Sequence, residues 1–352
     1  MQTDDLFENR DMQKEEKPYQ AQYEDLNDNI QDPRKQHKVN LWILLTYFLF
    51  MLLSQVVAGI IMNNHQDTTG DWIETQITWT IEESDDGYDV NYSGVVENTT
   101  NEGIERVYII FEVLDDGEVV ESFQQEITDI EALETVTVSE SFTIDDDAYT
   151  IEQSFNVPLS RNFVNLFQLF STFLVAIVLF IINKTSYVRD FKIFTRAPKK
   201  YLGHVITGFF LILAASYAGS AIMYFIGVTE TSLNETAIQG MFNNDIVTIV
   251  SLFLTLVILT PIVEETVFRQ GLYGIVRPTF GDKAAIIFSG FIFAFLHVAS
   301  WGDFIQIIPY LLMGLSFSYI YYYSGRNIYV VIIIHMMNNF IPYIIYTTDI
   351  LG

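Results

Sequence analysis

Apolar residues in this chain collect into runs of membrane length, and one polar stretch between them alternates with the period of a β-strand. Seven apolar runs can be read: Leu41–Met62, Phe163–Ile182, Val205–Ile226, Ile246–Val263, Ala284–Ala299, Phe304–Tyr323 and Ile328–Tyr346. Each is about as long as a helix must be to cross a hydrocarbon core of ~30 Å. The first run starts too late, and is too long, to be a signal peptide, and no small-residue cleavage site follows it. Seven such runs exclude an ordinary soluble core.

Between the first two runs the period changes from helix to strand. Ile77, Trp79 and Ile81 fall on one face, as do Tyr88, Val90, Tyr92 and Val96. Val107, Ile109, Phe111 and Val113 repeat the pattern, and so do Val136, Val138, Phe142 and Ile144. Turn pairs punctuate them at Asp86-Gly87, Glu102-Gly103 and Asp116-Gly117. Period-two alternation with such turns predicts five or six strands in a small antiparallel sandwich. The predicted fold class is therefore an all-α polytopic membrane protein, of about seven transmembrane helices, with an inserted all-β sandwich.

Charge refines this picture. Residues 64–161 hold 25 acidic and 2 basic residues, so nearly all of the net charge of −26 lies there. An acidic surface disfavours nucleic acid and anionic lipid as partners of that segment. The cluster Asp145–Asp147 is a candidate for weak Ca²⁺ binding, although runs of this kind are usually just solvated. The chain has no cysteine, which removes disulfides and thiol nucleophiles.

Bases mark the cytoplasmic ends of spans. They follow the second run (Lys184, Arg189, Lys192, Arg196, Lys199, Lys200), the fourth (Arg269, Arg277, Lys283) and the sixth (Arg326), and precede the first (Arg34, Lys35, Lys38). The alternate loops are poor in bases. All seven spans agree on a cytoplasmic N-terminus and an external C-terminus. The expected organisation is a disordered cytoplasmic tail over 1–38, a first transmembrane helix over 39–62 and an acidic extracytoplasmic sandwich over 63–161. A second transmembrane helix with a basic cytoplasmic loop follows over 162–200, and a membrane core over 201–352.

Within that core, "PIVEETVFRQG" (261–271) places two adjacent carboxylates at the end of an uncharged run. Ionisable groups inside a bilayer need a partner or a task. Glu265 and Arg269 are spaced i, i+4 on one helix face and can neutralise each other. Glu264 is rotated by about 100° from Glu265 and has no such local partner. His297 lies late in the fifth run; His335, Asn338 and Asn339 lie in the seventh. Counted from the basic ends, Glu264, His297 and His335 lie ~18, ~21 and ~14 Å deep, so three spans bring polar groups to similar depth. Carboxylate and imidazole can deprotonate water. A second imidazole and an amide can donate to a developing oxyanion. The set suits a hydrolase without a protein nucleophile.

These three motifs, Glu264-Glu265-x-x-x-Arg269, Phe293-x-x-x-His297 and His335-x-x-x-Asn339, match in order and spacing those of the CPBP family. That family comprises CAAX-prenyl proteases and bacteriocin-processing or immunity-associated (Abi) membrane proteases. The resemblance covers about residues 200–347. It implies an intramembrane endopeptidase in which Glu264 and His297 activate water, His335 and Asn339 stabilise the oxyanion, and Glu265 and Arg269 support them. No cofactor and no metal are expected, because Glu265 pairs more economically with Arg269, which would repel a nearby cation, and no His-x-x-x-His helix is present; a zinc site made from Glu264, Glu265, His297 and His335 is the competing chemistry. The stretch "YSGVVENTTNEGIERVYIIFEVLDDGEVV" (92–120) is similar to FxLYD-type immunoglobulin-like domains of bacterial surface proteins. Together they imply a multi-pass protein of a bacterial cell membrane. Its partners would be the lipid bilayer and a membrane-embedded or membrane-associated peptide or protein substrate, with an unknown partner for the sandwich. Two other classes compete: a non-catalytic scaffold or bacteriocin-immunity protein, and an ion-coupled transporter, against which no internal repeat is evident.

Overall fold

The structure is a computed structural model that describes residues 33–351, apart from 70–71, 85–86, 116, 146–148 and 299. Most of the expected tail and most of the Asp145–Asp147 cluster lie outside the described residues. So do one member each of two turn pairs, Asp86 and Asp116.

The elements run α1 (Pro33–Thr69), β1 (Ile73–Ser84), β2 (Gly87–Asn98), β3 (Ile104–Asp115), β4 (Glu118–Ile130), β5 (Thr135–Ile144) and β6 (Thr150–Asn156). Helices α2 (Arg161–Arg196), α3 (Pro198–Phe225) and the short α4 (Leu233–Gln239) follow. A long helical stretch, Ile246–Phe295, comes next, then a 3₁₀ turn at Trp301–Gln306, α8 (Ile307–Tyr323) and α9 (Ile328–Leu351). The long stretch comprises α5 (Ile246–Leu252), a π-helix (Phe253–Leu259), α6 (Thr260–Glu265), a second π-helix (Thr266–Leu272) and α7 (Tyr273–Phe295).

Six helical stretches among the described residues are long and apolar enough to cross a membrane. The expectation was about seven spans, and the difference lies in the stretch Ile246–Phe295. As one straight helix its 50 residues would be ~75 Å long. It is not straight. Gly281 has φ 80° and ψ 175°, a conformation that only glycine adopts without strain. The chain folds back there, so that Ser289 Oγ donates to the Phe268 carbonyl at 2.9 Å. Two runs separated in sequence thus become antiparallel neighbours in one helical stretch.

Three boundaries differ from expectation: residues 63–69, expected in the sandwich segment, are helical and continue α1 to Thr69. Residues 33–38 are helical and belong to α1, not to the tail. The basic stretch after the second run is also helical: α2 continues to Arg196 and stops where Ala197 leaves helical geometry ahead of Pro198. An apolar surface covers these helices, with Phe170, Ile181 and Phe210 each about two-thirds exposed, as a hydrocarbon solvent requires. The protein is a multi-pass membrane protein.

The chain divides into two compact units, one of residues 50–171 with 241–251, the other of the remaining described residues. The first carries the sandwich, whose two antiparallel sheets have strand orders β1-β2-β5 and β4-β3-β6. Inward residues at alternate positions form its core: Val90, Val107, Ile109, Phe111 and Val113 are all essentially inaccessible. Aromatic rings join the sheets, Phe123 stacking on Phe142 at 4.1 Å and Phe111 touching Tyr92 at 4.5 Å. Buried Asn98 closes one end. Its Nδ2 donates to the carbonyls of Glu102 and Glu131, and its Oδ1 accepts from Thr100.

The second unit is a helical bundle around Tyr201, Val205, Ile212, Phe317, Ile320, Val331 and Ile334. Glycine sets its closest approach. A Cβ on Gly290 would lie 2.7 Å from the Leu315 nitrogen, so α7 and α8 touch backbone to backbone.

Candidate active site

The two motif glutamates sit at the end of α6, a six-residue α segment held between the two π-helices. In the first π-helix the Thr260 N–H bonds to the Thr255 carbonyl, five residues back. The next bond in that register would run from residue 261 to Leu256, and residue 261 is proline, which has no N–H. The Leu256 carbonyl is thereby left to a side chain. Asn339 Nδ2 fills the vacancy at 3.0 Å. Asn338 Nδ2 donates to Asn339 Oδ1 at 3.3 Å. The Asn339 amide is thus fixed from both ends and keeps one N–H for another acceptor. The two adjacent asparagines thus differ in their contacts.

Glu265 and Arg269 are fully buried and lie 2.9 Å apart. Arg269 also donates to Ser289 Oγ at 2.9 Å, and its guanidinium lies 5.2–5.8 Å from the rings of Phe293, Phe317 and Phe268. Glu265 Oε1 is 2.9 Å from His335 Nδ1. One Glu265 oxygen therefore faces the Arg269 guanidinium and the other faces His335. A carboxylate oxygen beside Nδ1 is an acceptor, so Nδ1 carries the proton and Nε2 faces away from Glu265.

His335 Nε2 points at Glu264, whose Oε2 is 3.8 Å away. That oxygen is buried and receives no hydrogen bond among the described residues. A separation of 3.8 Å is too long for direct bonding. Glu264 is the partly accessible member of the acidic pair, with a side chain 16% exposed.

His297 does not lie within the helix, as expected from the run, but in the turn just after it: α7 ends at Phe295. The relation to Phe293 survives. His297 Nδ1 is 2.7 Å from the Phe293 carbonyl, which can only accept, so Nδ1 is the donor and Nε2 holds the lone pair. Its ring is clamped between Phe293 at 4.4 Å and Tyr310 at 4.9 Å. The Tyr310 hydroxyl is held in turn by Ser232 at 3.0 Å and Asn234 at 3.3 Å. His335 packs against Phe317 at 4.8 Å and against the Phe293 ring at 6.2 Å. Phe293 is thus the common wall of both imidazoles.

The six site residues expected from the sequence therefore belong to one neighbourhood in the bundle. Sequence reading missed Tyr310, Ser289 and the network behind the second π-helix. There Asn183 bonds to Gln270 and Tyr187 to Thr266, while Asp190 accepts from Gln270 Nε2 at 3.4 Å and from the Ile328 N–H at 3.1 Å. The signal for that network was an acid and an amide placed among the bases of α2. Helix α1 packs there as well, with Asn40, Ile43 and Leu44 set close against Gly271 and Gly274.

Residues 246–341 match the family model described as "Type II CAAX prenyl endopeptidase Rce1-like". This region is similar to the CAAX prenyl endopeptidases. Among curated proteins, the "Putative membrane peptidase YdiL" of Bacillus subtilis is 32% identical over 136 residues, which is 38% of this chain. The match covers 52% of that protein, so the chain spans about half the length of this relative. No solved structure matches. All six site residues lie within the segment that this family model covers.

Proposed function

We propose that the chain is an intramembrane endopeptidase that hydrolyses a peptide bond of a membrane-associated peptide or protein. Glu264 is the base that takes a proton from water, with the Nε2 lone pair of His297 sharing that proton. His335 Nε2, when protonated, and the remaining N–H of Asn339 donate to the oxyanion that forms as water adds to the carbonyl. Glu265 and Arg269 are supporting groups that orient His335 and keep the interior neutral. The observation that carries this reading is the contrast between the glutamates: Glu265 is fully buried, 2.9 Å from the Arg269 guanidinium and 2.9 Å from His335 Nδ1, whereas Glu264 is partly accessible, with His335 Nε2 3.8 Å from its Oε2. A carboxylate held in a low-dielectric site with its imidazole partner no closer than 3.8 Å costs stability, which a catalytic base justifies.

The name of the Bacillus subtilis relative, a membrane peptidase, agrees with this class of reaction. The alternation of basic and base-poor loops supports a cytoplasmic N-terminus. The sandwich would then face outward, and peptide precursors at the cell surface are the fitting substrates.

The test is cleavage by protein reconstituted in vesicles, comparing wild type with Glu264→Gln and His297→Gln. Both variants should remain folded and lose at least about a thousandfold in rate. Equal cleavage by Glu264→Gln would overturn the mechanism. Stoichiometric zinc, with activity lost on chelation and restored by zinc alone, would reassign Glu264, His297 and His335 as ligands. Full function of Glu264→Gln in the host without any cleavage would favour the scaffold or immunity role.

A further inference from the structure

We propose that the outer face of α2 between Lys184 and Arg196 binds the headgroup phosphate of an anionic phospholipid. A groove of about 450 Å³ runs along this face, lined by Lys184, Arg189, Lys192 and Arg196, with Val188 and Ile193 as apolar wall. These residues recur every three to five positions, and the twelve steps from Lys184 to Arg196 extend ~18 Å along one side of the helix. Arg189 is held by Asp190 at 2.6 Å. None of the described acidic side chains pairs with Lys184, Lys192 or Arg196.

The face is amphiphilic along its length. The apolar run ends at Ile182, and exposed Phe180 and Ile181 lie immediately above the first lysine. Val188 and Phe191 remain exposed between the cations. A ligand that fits such a strip has an anionic head and an apolar tail. A soluble acidic peptide would leave the apolar residues wet, and a free anion would not use them. The place is also right, because the cations begin where the helix leaves the hydrocarbon, at headgroup level.

Tertiary structure keeps the groove cationic. Asp190, the acid of this stretch, turns inward to accept from Gln270 Nε2 and from the Ile328 N–H. Asn183 and Tyr187 turn inward with it, onto Gln270 and Thr266. One side of α2 therefore braces the second π-helix, while the other presents positive charge to the lipid.

The test uses the full-length protein in detergent micelles, with bound lipid counted by native mass spectrometry and stability followed by thermal melting. Ligands are phosphatidylglycerol, phosphatidylcholine and inorganic phosphate. The site variant is Lys184→Gln/Lys192→Gln/Arg196→Gln. Its control, Lys35→Gln/Lys38→Gln/Lys199→Gln, removes equal charge outside the groove. The site variant should bind phosphatidylglycerol about a hundredfold more weakly than wild type and the control. Phosphatidylcholine should not distinguish the proteins. Equal loss in both triple variants would reduce the effect to general charge attraction and overturn the proposal. Protection by inorganic phosphate equal to that by phosphatidylglycerol would overturn it in favour of a free-anion site. Should the triple variant fold poorly, Lys192→Gln alone should weaken binding about fivefold, and wild-type binding by that variant would also sink the idea.

Discussion

Replacing Arg269 by methionine should destabilise the bundle by about 3–5 kcal/mol, and the size of that loss follows from what the guanidinium touches. Its Nε is 2.9 Å from Glu265 Oε2, and both side chains are inaccessible. At an effective dielectric of ~20 that charge pair is worth about 6 kcal/mol. The bond to Ser289 and the contacts with three aromatic rings add to this. Against them stands the desolvation of the guanidinium, which the variant no longer suffers. Methionine fills much of the same volume, so the remaining loss is dominated by the Glu265 carboxylate left charged and buried. His335, bonded to its other oxygen, offsets part of that loss. Adding Glu265→Gln to Arg269→Met removes the stranded charge and should restore about 2 kcal/mol or more, a coupling expected only of groups in direct contact. By contrast, Glu264→Gln should leave stability unchanged within about 1 kcal/mol, or raise it, because its buried oxygen has no hydrogen-bond partner to lose. The assay is unfolding by sodium dodecyl sulfate in mixed micelles, followed by circular dichroism. An Arg269→Met variant within 1 kcal/mol of wild type, or a double variant no better than the single, would refute this account of the pair.

Three further outcomes test other parts of the structure. Pro261→Ala supplies the missing N–H, which can compete with Asn339 for the Leu256 carbonyl; cleavage should fall by up to about tenfold, measured as kcat on a peptide substrate, with little change in unfolding midpoint. Gly290→Ala should cost about 1–3 kcal/mol in the same detergent titration, because its methyl would meet the α8 backbone at 2.7–2.9 Å, whereas Gly203→Ala, which has open space around it, should be neutral. In the sandwich excised as residues 63–161, which should fold alone and give a sheet spectrum, Phe111→Ala should cost about 3–5 kcal/mol by urea denaturation, since that ring contacts Tyr92, Phe142 and Trp79.

Hydrophobic period alone set the architecture. Seven apolar runs and one acidic segment of alternating residues became a helical bundle and a six-strand sandwich, because solvent on each side of a strand or helix dictates which positions must be apolar. Two strands escaped residue-level reading. β4 (Glu118–Ile130) is mostly polar and exposed, and β6 (Thr150–Asn156) is short and mostly polar; both turn few apolar residues inward, as strands with one solvated face do. The pairing of Glu265 with Arg269 was legible from i, i+4 spacing, which is a property of the helix and not of its neighbours. Tertiary contact decided the rest. Only the fold-back at Gly281 could show that Ser289, twenty residues on, caps Arg269. Only the assembled bundle could give Tyr310 to His297, and Asn339 to a carbonyl that Pro261 leaves without its ladder partner. Periodicity reports which face of an element is buried. It carries no information about which side chain of another element arrives there, because that depends on turns, crossing geometry and the one-residue shifts that the π-helices introduce.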